Sequence, residues 1–183
     1  GLWSEGPFPF GNSMAGKTLG IAGLGRIGSA IALRAAPFKV NIAYHNRRPK
    51  EVPYTFCESL EDLAQISDIL VCVLPGGDET DNLINASVLE KLGPSGILIN
   101  VGRGNSIDDD ALTNALKTGS IKAAGLDVYK NEPHIPDAYQ TLDNVILLPH
   151  IGSATQETRR SMGHLVFENI EAFLQNGTLV TEV

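Results

Sequence analysis

The stretch from Thr18 to Pro37, TLGIAGLGRIGSAIALRAAP, restricts the possible folds of this chain more than any other. Its first residues, Thr18 to Gly23, form a short apolar run that ends in glycine, as a buried strand does. Ile27, Ala30, Ile31 and Ala35 then recur at helical spacing from Arg26 onward, and Pro37 closes the segment. Gly23, Gly25 and Gly28 stand at the junction in the order GxGxxG. In such a turn the first glycine permits the tight bend, the second lets the backbone approach a pyrophosphate, and the third lets the helix pack close to the strand. Amides at the helix start, here around Arg26 and Ile27, attract the anion. The pattern implies a dinucleotide site, with a methyltransferase-type nucleotide site as the competing reading.

The rest of the chain keeps alternating. VNIAY reads as a second strand and VPYTF as a short one, followed by a helical piece from Ser59 to Ile66 and the apolar strand DILVCVLP, stopped by Pro75. GILINVG and IKAAGLDV are further strands, separated by SIDDDALTNALKTG, a helix with a Ser-x-x-Asp start and a stop at Gly119. NVILLPH is the last strand. A Ser-x-x-Gln box from Ser153 to Gln156 opens a long helix ending at Asn176-Gly177, whose Met162, Leu165, Val166, Ile170, Phe173 and Leu174 form one apolar stripe. Strands alternating with helices predict an α/β fold, a doubly wound parallel sheet of the Rossmann type with helices on both faces. Residues 1–15 read as a leader, 16–177 as a single dinucleotide-binding domain and 178–183 as a tail.

Ligands of such sheets bind beyond the carboxyl ends of the strands. Those ends carry Gly23 to Gly28, His45 to Arg48, Leu74 to Gly77, Gly102-Arg103-Gly104, Asp127 to Glu132 and Pro149 to Gly152, so nearly every unusual residue falls on one edge. AYHNRRP, from Ala43 to Pro49, stands about twenty residues after the glycine turn, where a dinucleotide-binding chain usually places an acid. It has none. Arg47 and Arg48 offer guanidinium forks that match a phosphate, and Asn46 a further donor; a solvated pair of loop charges is the plain alternative. His150 directly follows the strand NVILLP, and an imidazole titrates near neutral pH, so it is the best proton donor among the histidines.

Composition removes other classes. The net charge is −7 and the basic residues are scattered apart from Arg47-Arg48 and Arg159-Arg160, which gives no footprint for nucleic acid or an anionic membrane. No apolar run approaches transmembrane length, and GLWSEGPFPFG has neither the basic start nor the apolar middle of a signal peptide, so the chain reads as cytoplasmic. Cys57 and Cys72 are too few for a disulfide framework, and Cys72, inside an apolar run, packs as a small hydrophobe. No metal site is read.

Four motifs in order, GKTLGIAGLGRIGSAIA, INVGRGNSIDDDAL, AAGLDVYKNEP and LLPHIGSAT, resemble the cofactor domain of the D-2-hydroxyacid dehydrogenases over nearly the whole chain. YHNRRP brings the resemblance nearest to glyoxylate and hydroxypyruvate reductases. The resemblance implies a nicotinamide cofactor, 2-keto acid and 2-hydroxy acid substrates, and a catalytic set: His150 as acid/base, Glu132 as its carboxylate partner, Arg103 for the substrate carboxylate and carbonyl. It places Leu74 and Pro75 on the adenosine side of the cofactor, Thr80, Val101 and Gly102 close to it, Asp127 at the nicotinamide carboxamide, and Gly152 and Ser153 beside the nicotinamide. His45 occupies the position where NAD-using members carry an aspartate that would repel a 2′-phosphate, so NADP (NADPH) is expected in preference to NAD. Gly76 and Gly77 depart from the bulkier residues common in the family. The glycines flanking Arg103 read as room for ligand approach.

The family pattern also implies a second, smaller substrate domain. The chain reads as lacking it, and weak or no turnover is expected of this segment alone. Members commonly dimerise through the cofactor domain, and Trp3, Phe8 and Phe10 of the leader are candidates for burial on a partner or on the chain itself. Corepressors of the same family sense dinucleotides without turnover; that is the alternative, which Arg103, Glu132 and His150 do not favour.

Overall fold

A strand that is apolar on both faces belongs in the middle of a parallel sheet. β1 (Thr18–Ala22) is such a strand, and it pairs in parallel with β2 (Asn41–His45) on one side and β4 (Ile69–Cys72) on the other. The computed structural model describes residues 4, 6, 7 and 10–182. With β3 (Thr55–Phe56), β5 (Ile97–Asn100), β6 (Ala123–Leu126) and β7 (Val145–Leu147), they form a seven-stranded parallel sheet in the order β3-β2-β1-β4-β5-β6-β7. The order changes direction between β1 and β4, the switch point at which a ligand crevice opens beyond the strand ends.

Alternation along the strands splits the core between the two faces. Leu19, Ile21 and Val71 join Ala32 and Ala35 of α1 (Arg26–Ala35) on one face. Leu70, Cys72 and Leu98 join Leu63 of α2 (Leu60–Ile66), Val88 and Leu89 of α3 (Ala86–Leu92) and Leu112 of α4 (Asp109–Thr118) on the other. The predicted doubly wound sheet is therefore the observed one. α3 has no counterpart in the sequence reading, because its single apolar run, ASVLEKL, is too short to separate from a loop by periodicity. The short α5 (Asp137–Gln140) was equally hidden; it is anchored by buried Tyr139, whose hydroxyl donates to Asp109 Oδ1 at 2.7 Å.

Two helix starts differ from expectation. Asp108, not Ser106, caps α4, its side chain accepting from the Ala111 amide at 3.0 Å. Ser106 is buried and its hydroxyl donates to the Arg103 carbonyl. Likewise Thr155, not Ser153, caps the long α6 (Gln156–Asn176) by accepting from the Thr158 amide. Gly119 and Gly177 stop α4 and α6 in the left-handed conformation, as read.

The chain divides into two compact units, Gly1–Leu147 with the sheet and Leu148–Val183 with α6. The apolar stripe of α6 enters no core of its own unit: none of the helix residues is buried, and Leu174 is 79% exposed. With Leu179 and Thr181 the stripe walls a groove of about 650 Å³. Trp3 and Phe8 lie outside the described residues, and Phe10 is fully exposed.

The entry to the central strands is pinned by one carboxylate. Asp68 accepts from Lys17 Nζ at 2.7 Å and from the Thr18 amide at 2.8 Å, and these bonds, the lysine first, hold its carboxyl below the usual aspartate range. A lowered folded-state value contributes stability that is present above the ordinary aspartate pKa and is lost as pH falls through the lowered one. Asp68→Asn is expected to reduce the urea midpoint at neutral pH, with the gap to the parent closing as both are titrated into acid.

Candidate cofactor and active site

The β1–α1 turn is built from close contacts that only glycine allows. Gly23 has φ +99°, and a Cβ there would lie 3.0 Å from the Val73 carbonyl oxygen. A Cβ on Gly28 would sit 2.3 Å from the Gly23 carbonyl oxygen, so the helix can seat on the strand only without one. A Cβ on Gly25 would meet nothing within 4 Å, which leaves this backbone open to a ligand. The first bond into α1 runs from the Ser29 amide to the Gly25 carbonyl, and no side chain caps the helix. The amides of Arg26, Ile27 and Gly28 thus precede the hydrogen-bond ladder, an arrangement that suits an anion. Arg26 and Ile27 are exposed beside them.

Beyond the ends of β1, β2 and β4 a cleft of about 730 Å³ gathers Gly23, Gly25, Asn46, Arg47, Arg48, Leu74, Pro75 and Thr80. Its floor is apolar, from Leu60, Val73, Leu74 and Leu83, while one wall carries Arg47, Arg48 and Lys50. Asn46 Oδ1 accepts from the Leu24 amide at 2.7 Å, which ties the β2 tip to the glycine turn and orients its Nδ2 as the donor end. His45 Nδ1 lies 2.9 Å from the Cys57 carbonyl oxygen. A carbonyl only accepts, so Nδ1 carries the proton and Nε2 is the acceptor of the neutral ring. Thr80 lines the cleft, but its hydroxyl already faces the carbonyls of Pro75 and Gly77 at 2.8 and 2.9 Å.

The Arg103 loop follows β5 and is organised by one buried amide. Asn100, fully buried, accepts from the Gly102 amide at 3.0 Å and donates to the Arg103 carbonyl at 3.1 Å. Val101 continues the pairing, its amide donating a hydrogen bond to the Cys72 carbonyl. Arg103 itself is exposed, with Nη1 donating to the Gly102 carbonyl at 2.8 Å. The flanking glycines were read as room for ligand; the structure corrects this. A Cβ on Gly102 would lie 2.6 Å from the Leu74 carbonyl oxygen and one on Gly104 only 1.9 Å from the Tyr129 carbonyl carbon, so both glycines admit neighbouring backbone.

The same contact sets the Arg103 loop against the turn after β6. There Asp127 is buried with its amide bonded to the Asn100 carbonyl, and Glu132 Oε1 accepts from the Tyr129 amide at 3.0 Å. His150, Gly152 and Ser153 belong to the second unit. His150 has φ +53°, a left-handed conformation that costs a non-glycine residue roughly 1–3 kcal/mol and concentrates at functional positions. Among the described residues no group of His, Cys, Asp and Glu could hold a metal ion, and no helix is long and apolar enough to cross a membrane.

Residues 1–152 match the family model described as the D-isomer specific 2-hydroxyacid dehydrogenase, NAD binding domain. The chain belongs to this family. Among these dehydrogenases it is 45% identical over 184 residues to a glyoxylate/hydroxypyruvate reductase of Arabidopsis thaliana, and 46% identical over the same length to a hydroxyphenylpyruvate reductase of Plectranthus scutellarioides. Both matches take in 100% of the chain and 59% of the relative, so it spans under two thirds of their length. A solved structure of an NADPH-dependent glyoxylate/hydroxypyruvate reductase from Sinorhizobium meliloti, in complex with NADP and malonate, superposes with a TM-score of 0.93 at 46% identity, over 100% of the chain and 58% of its own.

Sequence reasoning missed several features of this dehydrogenase domain. Lys50 was legible as a third base in RRPK, whereas Glu79 and Leu83 reach the cleft only through the fold. Asn100 looked like a strand residue, and nothing in its neighbours signals the loop it holds. Asn100→Ala leaves the Gly102 amide and the Arg103 carbonyl without that partner, and is expected to lower unfolding stability by about 1–3 kcal/mol in urea titration.

Proposed function

We propose that this chain is the cofactor domain of an NADPH-dependent 2-keto acid reductase of the glyoxylate/hydroxypyruvate type. One observation carries the cofactor choice: the cleft wall at the end of β2 has no acid at the usual position, and Arg47, Arg48 and Lys50 line it together. A carboxylate there would bind the ribose hydroxyls of NAD and repel a 2′-phosphate, whereas guanidinium groups attract one. The residues fit a dinucleotide: open backbone at Gly25 and uncapped amides at α1 suit its pyrophosphate, and the apolar floor at Leu74 and Pro75 suits its adenosine. The NADP complex of the Sinorhizobium meliloti reductase supports the same choice.

A bound nicotinamide would supply the hydride for the keto carbon. The remaining work falls to side chains. Arg103 holds the substrate carboxylate and polarises its carbonyl, and its exposed guanidinium on a loop fixed by Asn100 suits that task. His150 gives a proton to the carbonyl oxygen as negative charge develops there, and its left-handed backbone supports a functional position. Glu132 is assigned by the family pattern to orient that imidazole. Asp127 is assigned to the nicotinamide carboxamide, and Gly152 and Ser153 to the space beside it.

Titration calorimetry with NADPH and NADH tests the cofactor reading. NADPH is expected to bind about ten- to a hundredfold more tightly, the range of one or two charge-assisted hydrogen bonds, and Arg47→Ala with Arg48→Ala should erase the difference. Equal affinities in the parent would sink it. For the chemistry, His150→Ala in the full-length protein is expected to slow reduction of glyoxylate and hydroxypyruvate by about 10²–10⁴ with the NADPH dissociation constant unchanged. Full activity in that variant would remove His150 from the mechanism.

A further inference from the structure

The cleft that lacks an acid at the end of β2 receives one from the end of another strand. Glu79 lies in the short turn Asp78–Thr80 after β4, and its Oε2 accepts from Arg47 Nη1 at 3.1 Å, in the cleft that both residues line. The two side chains are 90% and 84% exposed, so neither is needed by the core. Of the neighbouring acids Asp78, Glu79 and Asp81, only Glu79 lines the cleft, while Asp81 faces Lys130 Nζ at 3.7 Å.

Both residues stand on braced backbone, Arg47 beyond Asn46, which accepts from the Leu24 amide, and Glu79 in its own turn. The Glu79 turn is braced: the Thr80 amide and hydroxyl and the Asn105 side chain all donate to the Gly77 carbonyl, and the Thr80 hydroxyl also reaches the Pro75 carbonyl. Arg47 and Glu79 are both long, exposed side chains joined by one contact, so an arriving anion can take Arg47 from Glu79.

We propose that Glu79 sets cofactor specificity by competing with the 2′-phosphate for Arg47, which weakens NADPH binding and leaves an acceptor near the ribose that NADH does not have to displace. This rests on the reading of the cleft as the adenosine end of an NADPH site. A carboxylate facing a guanidinium in water is a weak pair, so its release is readily reversible, and the like-charge term between Glu79 and the phosphate is screened by salt.

The test measures dissociation constants of NADPH and NADH for the parent, Glu79→Gln, Arg47→Ala and the double variant, at low and high salt. Glu79→Gln is expected to bind NADPH about three- to tenfold more tightly at low salt, with NADH unchanged or weaker, and the gain should shrink in high salt and fall in the Arg47→Ala background to the smaller like-charge part. A ratio of NADPH to NADH affinity that Glu79→Gln leaves unshifted overturns the proposal, whichever cofactor the parent prefers, as does a gain that is undiminished without Arg47. A parent with equal affinities overturns the NADPH reading instead; a shifted ratio in Glu79→Gln would then still support the competition.

Discussion

The start of α1 rests directly on the end of β1, with Gly28 against the Gly23 carbonyl. With a separation that excludes even a methyl group, the helix start is driven onto the end of the central strand. Three consequences follow from this geometry. The first-turn amides of α1 point out of the sheet edge at the switch point between β1 and β4. Leu24 is turned so that its amide is bonded by Asn46, which fixes the tip of β2 relative to the turn. The β2 tip in turn sets where Arg47 and Arg48 stand, so the wall that would face the adenosine is positioned from a backbone contact several residues away.

Backbone-to-backbone proximity also joins the cleft beyond β1, β2 and β4 to the Arg103 loop. Gly102 lies against the Leu74 backbone, and Leu74 is part of the cleft floor; Gly104 lies against Tyr129, next to the turn that carries Glu132. Buried Asn100 binds this loop at two points, and the Asp127 amide bonds to the Asn100 carbonyl. Close-packed elements of this kind respond together to strain, because interiors have little free volume to absorb it. The arginine assigned to substrate and the floor assigned to cofactor thus share one support.

Much of this was legible in the residues. GxGxxG after an apolar run, the strand-helix alternation and the glycine stops at Gly119 and Gly177 are local signals, each with a local cause, and the observed elements match them. The signals failed where two local solutions compete. Ser106 and Asp108 can both cap α4, and burial of Ser106 against the Arg103 carbonyl decides for Asp108. Gly102 and Gly104 beside an arginine suggest space for a ligand, yet the space is filled by strands and turns distant in sequence.

By itself the sequence determined the doubly wound sheet, the glycine turn and the absence of an acid at the end of β2, because periodicity, backbone freedom and side-chain charge are properties of short stretches. Only the tertiary structure decided which residues share the cleft. Lys50 stands three residues from Arg47, but Glu79 comes from another strand end and reaches Arg47 because β2 and β4 both flank β1 in the sheet. A pairing set by chain crossover leaves no mark in local sequence, and it is this pairing that puts a negative charge beside Arg47.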